Sequence, residues 1–309
     1  MDQHIIGGGR QLERQIVARP GLTAGLVNIG QEQVTLAGAT IPHGTDGYVP
    51  DGVGVHEAQT KAFEAANADR LLEINQELDR IVHRDEVINY RDYPFRLLRK
   101  TLRGAALVGN NLLMTASHCA PWDLNSDGAM PGWWMRFVPS YHYGQEPYGS
   151  SYISDFRGIR NTNNVTGLDY VICRLHSPLG STCGWLGSKW WSTDSPYYEG
   201  SWTSVGYPGD AQNGQVMMVE RAIKLHDVDN ETEDGRELEA HTFSTPGWSG
   251  GPMFGTIEAG QRTVGIMSGK EYERDGFLGI LGSSHWHSVS AGGKYMTDLI
   301  LWAIANWSA

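Results

Sequence analysis

The chain divides by its hydrophobic pattern into three textures. From His56 to His83 there is no Gly or Pro, and Leu71, Ile74, Leu78 and Ile81 recur at three- and four-residue steps. That stripe predicts an amphipathic helix. From about Asp85 the pattern changes to short apolar runs: Ala105 to Val108, Leu112 to Met114, Tyr170 to Leu175, Val216 to Val219 and Val264 to Met267. Gly, Pro, Asn and Asp punctuate them, which predicts a mainly β body built as a barrel or sandwich. The tail from Lys294 to Trp307 is helical again, with Met296, Leu299, Ile300 and Ile304 on one side. Before the first helix, residues 1–55 are rich in Gly and polar groups. No segment repeats with a period that would make a solenoid.

Composition narrows the partners. The 309 residues suffice for a buried core, and 39 Gly with 11 Trp and 13 Tyr suit short strands and tight turns. The formal net charge of −11 repels nucleic-acid phosphate and anionic lipid, so neither nucleic acid nor membrane is expected as a partner. No apolar run approaches the roughly 18 residues of a membrane span, and the first residues lack the apolar core of a secretion signal. Three cysteines, Cys119, Cys173 and Cys183, cannot make an even disulfide framework. A cytoplasmic location is the resulting expectation, with secretion after trimming as the alternative.

Three stretches could carry chemistry. Ser249 lies in Ser244-Thr-Pro-Gly-Trp-Ser-Gly-Gly-Pro-Met253, between Gly247 and the pair Gly250-Gly251. Acyl transfer needs an exposed hydroxyl on a tight turn and backbone N–H groups converging on a developing oxyanion. Glycines let the backbone make that approach. His118 ends the apolar run Leu112-Leu-Met-Thr-Ala-Ser-His-Cys119, and Asp169 opens the run Gly167-Leu-Asp-Tyr-Val-Ile-Cys-Arg-Leu175. A Gly-rich hairpin around an inert Ser is the plain alternative for the first, and structural roles are the plain alternative for the other two. The order His, Asp, Ser is one of the known orders of a nucleophilic triad.

These stretches resemble the motifs T-A-A-H-C, D-[IY]-A and G-D-S-G-G-P of the trypsin/chymotrypsin serine protease family. The nearer resemblance is to its glutamyl-endopeptidase-like branch, through Tyr93-Pro94-Phe95-Arg96, Ser177-Pro-Leu-Gly180, Gly184-Trp-Leu-Gly187 and Ser204-Val-Gly-Tyr-Pro-Gly-Asp210. It covers roughly residues 85–290. The resemblance implies a chymotrypsin-like double β-barrel, with barrels over about 85–180 and 185–290 and a C-terminal helix. A protease domain of 85–309 would follow an N-terminal extension of 1–84.

The resemblance also implies the site. His118 would be general base, Asp169 its orienting carboxylate and Ser249 the nucleophile. The N–H groups of Gly247 and Ser249 would form the oxyanion hole. Ser244, Met267, Ser268, Gly269 and Lys270 would bind substrate. The function implied is serine endopeptidase, acting on a protein or peptide without cofactor. A catalytically silent homologue serving as a protein-binding module is the alternative. Trp248 replaces the Asp that family zymogens pair with a new N-terminus, so control would fall to residues 1–84, as a pro-segment or through a regulatory protein partner. A buttressing helix is the plain alternative. Met267 replaces the His of glutamate-specific members, and a preference for uncharged medium-sized side chains is expected. Cys119 has no upstream partner and should be a free thiol.

Metal signals are weak. Asp123-Leu-Asn-Ser-Asp-Gly128 opens like a calcium loop but has Trp134 where the closing acid belongs, so it reads as a polar turn. Asp227, Asp229 and Glu231 read as a solvated loop. His285 and His287 share a strand face but lack a third ligand, so no metal is expected.

Overall fold

A computed structural model describes residues 43–51, 104–123, 129–160, 165–231, 234–242, 244–274 and 284–307, with the two-residue strands Ile16–Val17 and Asp85–Glu86. The helix expected over 56–83 and most of the polar turn at 123–128 lie outside the described residues. No helix among the described residues is long and apolar enough to cross a membrane.

Strands are numbered along the chain and fall into two curled sheets. The first has six: β1 (Ile16–Val17), β4 (Ala106–Leu107), β5 (Leu112–Thr115), β6 (Arg136–Phe137), β7 (Ser151–Gly158) and β8 (Val171–Leu175). The second has ten: β2 (Gly44–Thr45), β3 (Asp85–Glu86), β9 (Gly187–Lys189), β10 (Trp202–Gly206), β11 (Met218–Ile223), β12 (Leu225–Asn230), β13 (Gly235–Ala240), β14 (Pro252–Ile257), β15 (Gly260–Arg274) and β16 (Ser284–Gly293). The order β1-β7-β8-β5-β4 puts the His118 run on β5 directly beside the Asp169 run on β8, with Leu113 opposite Cys173 and Thr115 opposite Val171. That pairing fixes which two polar groups emerge together at the strand ends.

The apolar runs bury as their pattern predicts. One core gathers around Leu107, Leu113, Phe137, Phe156 and Val171 of the first sheet and continues into Val205, Val219 and Phe254 of the second sheet. Another lies inside the second around Trp202, Leu238, Met253 and Val264. A third joins both sheets to the C-terminal helix α3 (Lys294–Trp307), which follows the short helices α1 (Gly180–Cys183) and α2 (Ser195–Glu199). There Met296, Leu299, Ile300, Ala303 and Trp307 cover Val108, Leu112, Ile172 and Ile266. Each such side chain contributes about 1.5–3 kcal/mol of burial. Ile304 differs from expectation. It is 39% exposed, and Ala303 takes the inward position because the stripe follows the 3.6-residue turn through Trp307.

Part of residues 1–84 is woven into the body. Ile16–Val17 pairs with β7, and Gly44–Thr45 pairs with β9. Thr45 Oγ1 lies 3.0 Å from Ser188 Oγ, both buried, and Tyr48 stacks on Trp185. Asp85–Glu86 pairs with β11 of the second sheet rather than opening the first. Two-residue pairings like these leave no hydrophobic period in the sequence.

Candidate active site

Asp169 is the best-determined group. It is fully buried, and its carboxylate accepts three hydrogen bonds. The backbone N–H of His118 donates to Oδ1 at 2.9 Å, His118 Nδ1 lies 2.6 Å from Oδ2, and Ser268 Oγ donates to Oδ2 at 2.6 Å. A buried carboxylate is tolerable only with such donors. The loop before it is held as well: the Gly167 N–H donates to Glu237 Oε1 at 3.0 Å, and Thr166 Oγ1 donates to Glu231. Sequence reasoning put Ser268 in the substrate pocket. Its side chain is 3% exposed and hydrogen-bonded to Asp169. Glu237 went unnoticed, since an isolated Glu on a strand carries no local signal.

His118 sits on the 3₁₀ turn Ser117–Cys119 that closes β5. The turn is anchored by Ser117, whose Oγ donates to Ile159 O, and by Trp122, whose Nε1 donates to Ser117 O at 2.8 Å. The imidazole is half-buried. Burial by itself lowers its pKa, but the hydrogen bond to Asp169, followed by the hydrogen bond and charge of Cys119, outweighs it and pushes it up to about 10. Cys119, Cys173 and Cys183 form no disulfide among the described residues.

Ser249 is brought to the same place through its backbone. Gly104 N donates to Ser249 O at 2.6 Å, while Thr115 Oγ1, three residues before His118, donates to Gly104 O at 2.8 Å. Gly250 fits this junction only as Gly. Its φ is +81°, and a Cβ would run into Gly104 O and Thr115 Oγ1. Gly247 has φ +104°, and a Cβ there would strike Tyr207 O. The turn is closed by Trp248 N to Thr245 O at 2.9 Å and Gly250 N to Met267 O at 2.8 Å. Among the described residues, the N–H groups of Gly247 and Ser249 have no protein acceptor, and Ser249 Oγ makes no hydrogen bond. The expected Ser249–His118 hydrogen bond is therefore not formed in this structure.

Trp248 is fully buried and donates from Nε1 to Ser204 Oγ at 2.8 Å. It packs with Val216, Met218 and Met267. An indole in this slot takes a hydroxyl and apolar neighbours, where an ion pair would have needed a cation. Met267 is correspondingly buried rather than facing an open surface. Gly269 is half-exposed, and Lys270 is exposed. Ser244 Oγ is buried without a partner among the described residues, and so is Ser290 Oγ on β16, which lies opposite Met267. Ser290 was missed because one Ser in a Ser-rich run is not distinctive.

A solved structure of a Glu endopeptidase in complex with MPD matches with TM-score 0.54 at 17% identity, covering 74% of this chain and 99% of that one. A thermostable serine protease, AL20, from an extremophilic microorganism matches with TM-score 0.46 at 15% identity, over 68% of this chain and 95% of its own. Protease Anisep from Arthrobacter nicotinovorans matches with TM-score 0.43 at 18% identity, over 64% and 88%. No family model and no curated protein matches the chain. The fold is the chymotrypsin-like double β-barrel with a C-terminal helix, as expected from the sequence. This fold is shared with serine proteases.

Proposed function

We propose that this chain is a serine endopeptidase with Ser249 as nucleophile, His118 as general base and Asp169 as the group that orients His118. The observation that carries the reading is the 2.6 Å contact between His118 Nδ1 and a buried carboxylate that also accepts the His118 backbone N–H. A carboxylate can only accept, so the neutral imidazole carries its proton on Nδ1 and keeps Nε2 as a base. Ser249 Oγ then attacks the substrate carbonyl as its proton passes to Nε2. The N–H groups of Gly247 and Ser249, which have no other acceptor among the described residues, receive the oxyanion. Collapse breaks the C–N bond, and the leaving amine takes the proton from Nε2. Water repeats the sequence on the acyl-enzyme.

The competing reading is a catalytically silent binding module, and the unformed Ser249–His118 hydrogen bond favours it. Such bonds are often long in a free enzyme and tighten with substrate bound, which leaves the endopeptidase reading ahead. Replacing Ser249 by Ala should lower turnover of a peptide substrate by on the order of 10⁴–10⁶ with the fold retained. Equal turnover would overturn Ser249 as the nucleophile, and a folded parent chain without turnover would return it to the binding reading.

Substrate preference follows from the residues around the Ser249 turn. Met267 is apolar, Lys270 is exposed, and the Ser244 and Ser290 hydroxyls lack partners among the described residues. This set suits an uncharged, medium-sized side chain with a hydrogen-bonding end over Glu. Strict cleavage after Glu or Asp in a peptide library would overturn that preference.

A further inference from the structure

On the face of the second sheet turned away from its Leu238 and Ala240 core, four strands bring imidazoles and carboxylates together. The order β12-β13-β16-β15 places His226, Glu239, His287 and Glu271 on consecutive strands. Glu271 is directly opposite His287 in register. His287 Nε2 lies 3.2 Å from Glu239 Oε2 and 3.9 Å from Glu271 Oε2. His226 joins from β12, its ring centroid 5.5 Å from that of His287 and 4.5 Å from that of His241. One ligand atom each from His226, Glu239 and His287 lies within 4.8 Å of the others. Glu239 and His287 are each 4% exposed, and His226 is exposed.

We propose that His226, Glu239 and His287 form a binding site for a divalent transition metal of the zinc class, with Glu271 or water in the fourth position. Two imidazole nitrogens and a carboxylate oxygen are a zinc donor set. Zinc–ligand bonds of about 2.0–2.2 Å set tetrahedral ligand atoms about 3.4 Å apart. The His287–Glu239 separation of 3.2 Å already fits. His226 must move inward by about an ångström, and it is placed to do so. β12 is the edge strand, and the pairing register slips between Leu225 and Asp227, which makes His226 the bulged residue. Bulges re-aim side chains in this way. A buried carboxylate also needs positive charge near it. A divalent ion supplies it; a protonated His287 paired with Glu239 is the competing source.

His285 and His287 as a sequence pair lacked a third ligand. The bulge and the register supply two, and neither is visible before the strands are paired. A bound ion would tie β12, β13 and β16 together and stabilise the folded chain by mass action. The site does not depend on the endopeptidase reading.

Zinc binding to the full chain is measured by competition with a chromophoric chelator, and cobalt(II) is used as a spectroscopic stand-in. The expected result is one zinc per chain, four-coordinate d–d bands with cobalt, and a melting temperature raised by zinc. His226→Ala alters an exposed side chain, so the fold should persist. It should weaken zinc by at least about tenfold and abolish the thermal shift, and Glu239→Gln should do the same. His142→Ala should bind as the parent does. No saturable zinc at one per chain would overturn the site in favour of the protonated His287 pair. Undiminished affinity in a folded His226→Ala would overturn it in favour of zinc held elsewhere. If Glu239→Gln fails to fold, His226→Ala alone decides.

Discussion

Replacing Asp169 by Asn isolates the orienting role, because the side chain keeps its shape and exchanges one acceptor for a donor. Three donors meet the carboxylate: the His118 N–H at Oδ1, and His118 Nδ1 and Ser268 Oγ at Oδ2. A backbone N–H can only donate, so the amide oxygen must take the Oδ1 place. The amide NH₂ then faces Nδ1 and Ser268. The Ser268 hydroxyl can rotate to accept, but Nδ1 can accept only if the ring proton moves to Nε2. With Nε2 protonated, His118 cannot receive the Ser249 proton. The expected loss in kcat/KM is on the order of 10⁴, with little change in KM, while the lost charged hydrogen bonds cost about 1–3 kcal/mol of stability. The assay is hydrolysis of a peptide ester, with a thermal melt as control and nitrogen NMR of the ring to read the tautomer. A folded Asn variant within about tenfold of the parent, ~1.4 kcal/mol of barrier, would refute the reasoning.

Three further outcomes follow from the same geometry. Gly250→Ala should lower stability by more than about 2 kcal/mol in a thermal melt, because a positive φ and two backbone-anchored oxygens leave the Cβ no room. An unchanged melt would mean that the junction yields easily. The His118 pKa of about 10 puts the acid limb of the kcat/KM–pH profile on the alkaline side, since the base must be neutral. Cys119→Ala removes one of the raising causes and should move that limb to lower pH, and an unmoved limb would clear Cys119 of the role. By linkage, the raised pKa adds stability that is fully present below the ordinary value of 6.5 and is lost as pH rises through about 10. Deleting residues 1–51 strips β1 from β7 and β2 from β9 and removes the Arg262–Asp46 ion pair, and should lower the melting temperature. A truncated chain that melts like the parent would leave this region without a buttressing part.

The short-strand β body was legible because it is encoded locally, while the double barrel and the roles of the candidate nucleophile, base and orienting acid came from the family resemblance of the stretches that hold them. An apolar run ending in His118, another beginning at Asp169, and glycines around Ser249 each state their own geometry. What depended on pairing was not legible. Ser268 reads as a substrate-binding residue by resemblance, and only the fold shows its hydroxyl turned onto Asp169. Asp227 and Asp229 read as a solvated loop, but they lie on β12, where the alternation is broken by the slip at His226. Gly44–Thr45 is too short for a period, and its hold on β9 comes from backbone pairing, buried Thr45–Ser188 hydrogen bonds and an aromatic stack nearby.

The central claim is that Ser249 is the nucleophile, and covalent labelling tests it most directly. The intact chain is treated with a fluorophosphonate and the modified peptide is located by mass spectrometry. The account predicts one adduct per chain, on Ser249, lost in Ser249→Ala and strongly slowed in His118→Ala. A folded chain left unlabelled, or labelled equally well after Ser249→Ala, would contradict it.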